Sequence, residues 1–225
     1  MYRRRNPNYE NLRISRGVLY SPEGNIRVKQ IGKGAFTTAY VTTEAPTPRV
    51  FLVASDEVVD KEILAAAHDE APQNPHLPRV EKFGYTTGDQ TIYVMPLYRA
   101  PLRKADSPEG WRDFSILKEC REQAWQQVSK SARGLGAMTH RGYDVNEATL
   151  ACAEASGVRP AVLEALRALV DTASNYGASQ VFEFAARNLA TDADGNLVLL
   201  DPLFDMERLE RQRREAAKKR GGWGG

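Results

Sequence analysis

The first hundred residues alternate apolar and polar positions in short runs, and the next seventy change to a helical period. Period-two runs at 26–31, 37–43 and 49–54 predict strands, with a proline-bearing turn at Thr43–Pro48. A short strand is expected at Arg16–Tyr20, inside an otherwise irregular basic arm. Residues 56–69 read as a helix with Val59, Ile63 and Ala66 on one face, ended by Pro72, Pro75 and Pro78. Arg79–Tyr85 and Thr91–Met95 predict two more strands joined at Thr86–Gln90. Asp106 or Ser107 before Pro108 is a helix start, and the helix carries Trp111, Phe114, Ile116, Leu117, Trp125 and Val128 as core positions. A helix is expected near 145–155. Another spans Arg159–Asn175, with Val162, Leu163, Leu166, Leu169 and Val170 at helical spacing and Asn175-Tyr176-Gly177 as its stop. Strands first and helices later predict an α+β chain rather than a doubly wound sheet.

Three segments within this pattern carry chemistry. Glu183 stands five residues before Asn188, and Asp201 thirteen after it, with the turn Asp192-Ala193-Asp194-Gly195-Asn196 and the apolar run Leu197–Leu200 between. An acid to face a hydroxyl, and an amide and a carboxylate to hold magnesium against phosphates, are what phosphoryl transfer needs. Ile31–Val41 reads as strand, glycine turn, strand. Gly32 and Gly34 let backbone amides approach phosphates, and Phe36 closes over them. No helix pattern follows, which argues against the dinucleotide and P-loop arrangements. Asp89–Tyr98 is an apolar run ending in Met95-Pro96-Leu97-Tyr98, an extended segment that offers adenine the Pro96 carbonyl and the Leu97 or Tyr98 amide.

Together these segments resemble the protein-kinase superfamily, and within it the divergent early serine/threonine protein kinases of short-tailed T-odd bacteriophages. The matching residues are Gly32 to Tyr40, then Glu183, Asn188, Gly195 and Asp201-Pro202, and the likeness runs from about residue 28 to 205. The resemblance implies a two-lobed protein kinase-like α+β fold: a basic N-terminal arm at 1–24, a small β-rich N-lobe and hinge at 25–98, a truncated helical C-lobe at 99–205 and a basic tail at 206–225. It implies ATP with Mg²⁺ or Mn²⁺ as cofactors and host proteins as acceptors, the transcription and RNA-processing machinery among them. Asn188 and Asp201 take the metal, and Glu183 the catalytic place. Gly32, Lys33, Gly34, Phe36, Met95, Pro96, Leu97 and Tyr98 take the nucleotide, with Asp60 (or Glu62) as the helix acid.

The chain departs from that pattern at two places. The third strand, Arg49–Ser55, has no lysine, and Leu52 stands in its position. Lys33 in the glycine turn is the substitute cation, unless it is an ordinary solvated turn residue. Glu183 replaces an aspartate, and its extra methylene moves the carboxylate by roughly 1 Å, a displacement worth about a hundredfold in rate. Arg187 either stabilises transferred charge or pairs with Glu183. A pseudokinase that only binds a partner is therefore an alternative, and a small-molecule phosphotransferase of the aminoglycoside-kinase type is a second.

Charge and cysteine content add bounds. The net charge of +2 over 225 residues leaves direct nucleic-acid binding open but unsupported. Arg3-Arg4-Arg5 and the stretch 207–220, with seven bases against three acids, form a basic arm and tail suited to an acidic partner surface or to solvent. With 23 residues after Pro202, substrate choice is expected to fall to the helices between 105 and 177. Cys120 and Cys152 form no Cys-x-x-Cys pair, so neither zinc nor a disulfide framework is indicated. His68, His76 and His140 lack metal-ligand spacing. No apolar leader or membrane span is legible, so a cytoplasmic protein is expected, in the host bacterial cytoplasm if phage-encoded.

Overall fold

The computed structural model describes residues 9–34, 36–55, 59–131, 141–176, 179–208, 210, 211 and 214. The chain divides into two compact units, residues 1–73 with 77–99, and 74–76 with 100–225.

The first unit is a closed barrel of seven strands in the order β1-β2-β3-β4-β5-β7-β6. They are β1 Tyr9–Ser15, β2 Val18–Ser21, β3 Gly24–Lys33, β4 Thr37–Thr42, β5 Arg49–Ala54, β6 Glu81–Thr86 and β7 Thr91–Pro96. Neighbours pair antiparallel except at the seam, where β1 runs parallel to β6 through Tyr9↔Gly84 and Leu12↔Thr86. Period-two alternation fills the interior: Leu12, Leu19, Val28, Phe51, Val53, Phe83, Ile92 and Val94 form one buried cluster. Phe83 stands edge-on to both Tyr9 and Phe51, with centroids 5.2 Å apart in each pair.

This barrel overturns the expected two-lobed kinase-like fold. Residues 9–21, read mostly as an irregular arm, supply two of its strands. The reason is burial: Leu12 and Leu19 are fully enclosed, and the polar and charged residues around Leu12 and Ile14 left too weak a signal to mark β1. Gly84 shows how tight the closure is. A Cβ there falls on the backbone carbonyl of Tyr9 and lies 2.9 Å from Leu12 Cδ1. Gly84→Ala is therefore expected to destabilise the first unit by about 2 kcal/mol or more. Gly88→Ala, whose Cβ meets only Thr86 Oγ1 at 3.9 Å, serves as control. Equal urea midpoints for the two variants would rule out this close seam.

Helix α1, Asp60–Glu70, follows β5. Its inward positions are Lys61, Ile63, Leu64, Ala67 and His68, so the predicted Val59–Ile63–Ala66 face is rotated toward Leu64 and Ala67.

The second unit contains α2 Pro108–Ser131, α3 Gly142–Ala155 and α4 Pro160–Ser174, with α2 along α3 and α3 against α4. All five predicted apolar positions of α4 are buried. Ser107 caps α2 by accepting the Gly110 amide at 3.1 Å, as the Ser-Pro start signal predicted. Two short ribbons complete the unit: β8 Gln180–Phe182 with β11 Leu203–Asp205, and β9 Leu189–Thr191 with β10 Leu197–Leu199. Cys120 and Cys152 are joined in a disulfide between α2 and α3, with Cα atoms 5.5 Å apart. That corrects the sequence reading. The helical packing, not any local motif, brings together two residues 32 apart.

The start of the basic tail is also not a free solvated helix. Met206 is buried in a cluster with Ala124, Val128, Val145 and Val181, Asp205 accepts the Arg208 amide at 3.2 Å, and Arg208 is 8% exposed. The basic arm at 3–5 and most of the tail lie outside the described residues. No helix among the described residues is long and apolar enough to cross a membrane.

Candidate functional site

Glu183, Asn188 and Asp201, singled out in the sequence, are linked in the second unit by backbone and side-chain hydrogen bonds. A short 3-10 turn, Ala186–Asn188, lies between β8 and β9 and puts Glu183 and Asn188 on the same side. The β9–β10 hairpin then returns the chain, and the Asn188 carbonyl accepts the amides of both Leu200 and Asp201, at 3.1 and 2.9 Å. Thirteen residues of sequence collapse to one hydrogen-bonded contact. The Glu183 amide donates to the Pro202 carbonyl at 2.7 Å, closing the loop from the other side.

The side chains follow from that frame. Asn188 is 8% exposed, and its Nδ2 donates to Glu183 Oε2 at 3.2 Å. Its Oδ1 is an acceptor on the same residue whose carbonyl takes the amide of the half-buried Asp201. An amide oxygen and a carboxylate are hard donors of the kind Mg²⁺ or Mn²⁺ takes together with phosphate oxygens. No group of three or more His, Cys, Asp or Glu able to hold a metal occurs among the described residues. A cation here would therefore rely on Asn188, Asp201 and its nucleotide. Glu183 Oε1 accepts from Arg187 Nη2 at 2.9 Å, which settles Arg187 as the partner of Glu183 in this structure. Arg187 is 73% exposed, so the pair contributes little to stability.

Residues that sequence reasoning passed over hold the loop in place. Asn146 on α3 is buried. Its Nδ2 donates to the Gln180 carbonyl at 2.9 Å and its Oδ1 accepts the Phe182 amide at 2.9 Å, so one side chain grips β8 on both sides. Ser107 Oγ donates to the Gly195 carbonyl at 2.6 Å, fixing the tip of the β9–β10 hairpin. His76 fixes its far strand. Nδ1 donates to the Leu197 carbonyl at 2.6 Å, and its own carbonyl accepts the Leu199 amide at 2.9 Å. A lone Asn or His in a sequence carries no mark of such a role.

His76 also makes a pH prediction. Burial pushes its pKa below the ordinary 6.5, helped by the Arg159 charge and opposed by the Leu197 bond and by Asp113 and Asp192. The unfolded chain takes up a proton near 6.5 and the folded one resists it. Stability from this group is therefore full above that pH and is lost as pH falls below it. The fall in urea midpoint between pH 7.5 and 5.5 should be smaller in His76→Asn than in the parent. Equal falls would remove His76 as the cause.

The remaining predicted site residues lie in the first unit. Gly32 and Lys33 end β3, and the Gly34 amide donates to the Thr37 carbonyl at 2.8 Å, so the expected strand–turn–strand hairpin is present. Ala35 lies outside the described residues. Lys33 is exposed, and the half-buried Phe36 accepts the Ser55 amide on its carbonyl at 3.0 Å. Leu52 is buried between Ala39 and Tyr93 in the register, a core position. Met95 and Pro96 end β7 opposite Val50 and Arg49. The Leu97 amide donates to the Pro48 carbonyl at 3.3 Å, so it is already engaged rather than held out for an adenine. The Tyr98 hydroxyl accepts the Arg79 amide at 3.0 Å. Asp60 is half-buried in the first turn of α1, and Glu62 pairs with Lys82 at 3.5 Å. Between them Lys61 is 5% exposed.

No protein-family model matches the chain, and no curated protein is significantly similar to it.

Proposed function

We propose that the second unit transfers the γ-phosphoryl group of ATP, as its Mg²⁺ or Mn²⁺ complex, to a serine or threonine hydroxyl of a protein. The observation that supports this is the double hydrogen bond from Leu200 and Asp201 to the Asn188 carbonyl. It brings the backbones of Asn188 and Asp201 together, and the Asn188 side chain in turn donates to Glu183. The bound cation would neutralise phosphate charge. The protein's own part is positional. Asn188 and Asp201 hold the cation's side of the site, Glu183 faces the acceptor hydroxyl, and Arg187 keeps the Glu183 carboxylate oriented. A bacterial host protein as acceptor is supported by the motif resemblance alone, and the proposed activity does not depend on a kinase-type frame.

A binding-only reading is favoured by one observation: both carboxylate oxygens of Glu183 already accept hydrogen bonds, from Arg187 and from Asn188. Incubation with γ-labelled ATP, Mg²⁺ or Mn²⁺ and bacterial lysate separates the two. Label on protein with the parent and none with Asp201→Asn supports transfer. No label with either leaves the binding-only reading standing.

A further inference from the structure

Arg121 lies on α2 and reaches the acid-bearing loop. Its Nε donates to the Phe182 carbonyl at 3.1 Å, the residue immediately before Glu183. Its guanidinium carbon lies 4.7 Å from the Trp125 ring centroid and 5.9 Å from that of Phe204. The head group is thus fixed by one hydrogen bond and two ring contacts, while the residue remains partly open to solvent. Its terminal nitrogens donate to none of the described residues, and it forms no ion pair with Glu183 or any other described carboxylate.

That combination is unusual for an arginine serving only as a brace. One N–H is spent on the frame, and the planar fork is left with donors unspent. Burial lowers its pKa below the ordinary arginine value, opposed by the carboxylates of Glu183 and Glu122, and so marks a partly desolvated cation. Glu183 does not use up that charge, because its oxygens are taken by Arg187 and Asn188. A rigid, partly dry guanidinium with free fork donors matches a planar or tetrahedral oxyanion better than a lysine does.

We propose that Arg121 binds an oxyanion, a carboxylate or a phosphate, carried by the acceptor substrate next to its reacting hydroxyl. The proposal rests on the phosphoryl-transfer reading for its purpose, but its binding chemistry can be tested without transfer. The acceptor would then be an acidic or already phosphorylated segment of protein.

The first measurement is an NMR titration of the arginine Nε–Hε signals of the full chain, with sodium acetate and with inorganic phosphate, against sodium chloride at equal ionic strength. The Arg121 signal should shift saturably with one or both oxyanions and not with chloride, and the stronger arm says whether carboxylate or phosphate is the ligand. Arg121→Lys, which keeps the charge and loses the fork, should weaken that binding about tenfold, read from backbone amides of the Phe182–Glu183 segment. The parent titration needs no variant to fold. No saturable shift at Arg121, or an equal drift at all exposed arginines, overturns the proposal.

A second measurement compares kcat/KM for serine peptides differing only in Asp or Asn beside the serine. The parent should prefer the acidic peptide, and Arg121→Lys should lose that preference. Transfer without preference overturns the Arg121 site and leaves the function standing. Oxyanion binding without any transfer keeps the site and overturns the function.

Discussion

Asp201→Asn is expected to abolish phosphoryl transfer while leaving the fold in place. The substitution keeps the shape of the side chain and the backbone amide that donates to the Asn188 carbonyl. Because Asp201 is only half-buried, the loss of its charge is not a core defect. On the proposed function, what disappears is the one anionic group that Asn188 and Asp201 together would offer a divalent cation. Lewis-acid stabilisation of a phosphoryl group is worth several kcal/mol, so the rate should fall about a thousandfold or more. Two readouts check it: thermal unfolding, which should match the parent, and Mn²⁺ binding in the presence of ATP by electron paramagnetic resonance, which should weaken. Glu183→Gln gives a comparison. It keeps one acceptor oxygen for Arg187 or Asn188 and removes the base, a change worth about a hundredfold to ten-thousandfold where an acid–base group works in the transition state. A parent-like rate in Asp201→Asn would dismiss the metal role of this residue.

The largest stability effect is expected from the Cys120–Cys152 bond. It closes a loop across a sequence separation of 32, which chain entropy values at about 3 to 4 kcal/mol. The bond also lies between the two helices that carry Arg121 and Asn146, both of which hold the segment before Glu183. Under non-reducing conditions Cys120→Ser/Cys152→Ser should therefore unfold at clearly lower urea than the parent. Dithiothreitol should bring the parent down to the variant and leave the variant unchanged. Such a bond is rare in proteins kept in a reducing cytoplasm, so the parent's stability should depend on where it resides. Two free thiols in the non-reduced, denatured parent would dispose of the bond.

Local chemistry was the legible part of this molecule. The glycine hairpin, the Ser-Pro start of α2, the full apolar face of α4 and the Gly195 turn depend on residues within a few positions of each other, where backbone preference and period suffice. The spacing of Glu183, Asn188 and Asp201 was legible for the same reason, since a tight hairpin is all that separates the last two. The partner of Arg187 was one of two sequence-level alternatives, and i,i+4 geometry in the turn chose Glu183.

What failed was long-range. The parallel seam between β1 and β6 joins residues more than seventy positions apart, and nothing near Tyr9 announces Gly84 as its neighbour. Arg208 read as part of a tail for solvent or an acidic partner because sequence reports charge and not enclosure. Cys120 and Cys152 lacked a motif because their meeting is set by how α2 lies along α3.

The sequence by itself determined the local elements and the close spacing of Glu183, Asn188 and Asp201, because turns, caps and short hairpins are governed by neighbours in the chain. Only the tertiary structure decided that the strands close into a barrel and that the two cysteines join. Only it showed Asn146 and Arg121 holding the segment before Glu183, and Ser107 and His76 holding the β9–β10 hairpin. Those outcomes depend on which distant surfaces exclude water together, a property of packing that no short stretch of chain contains.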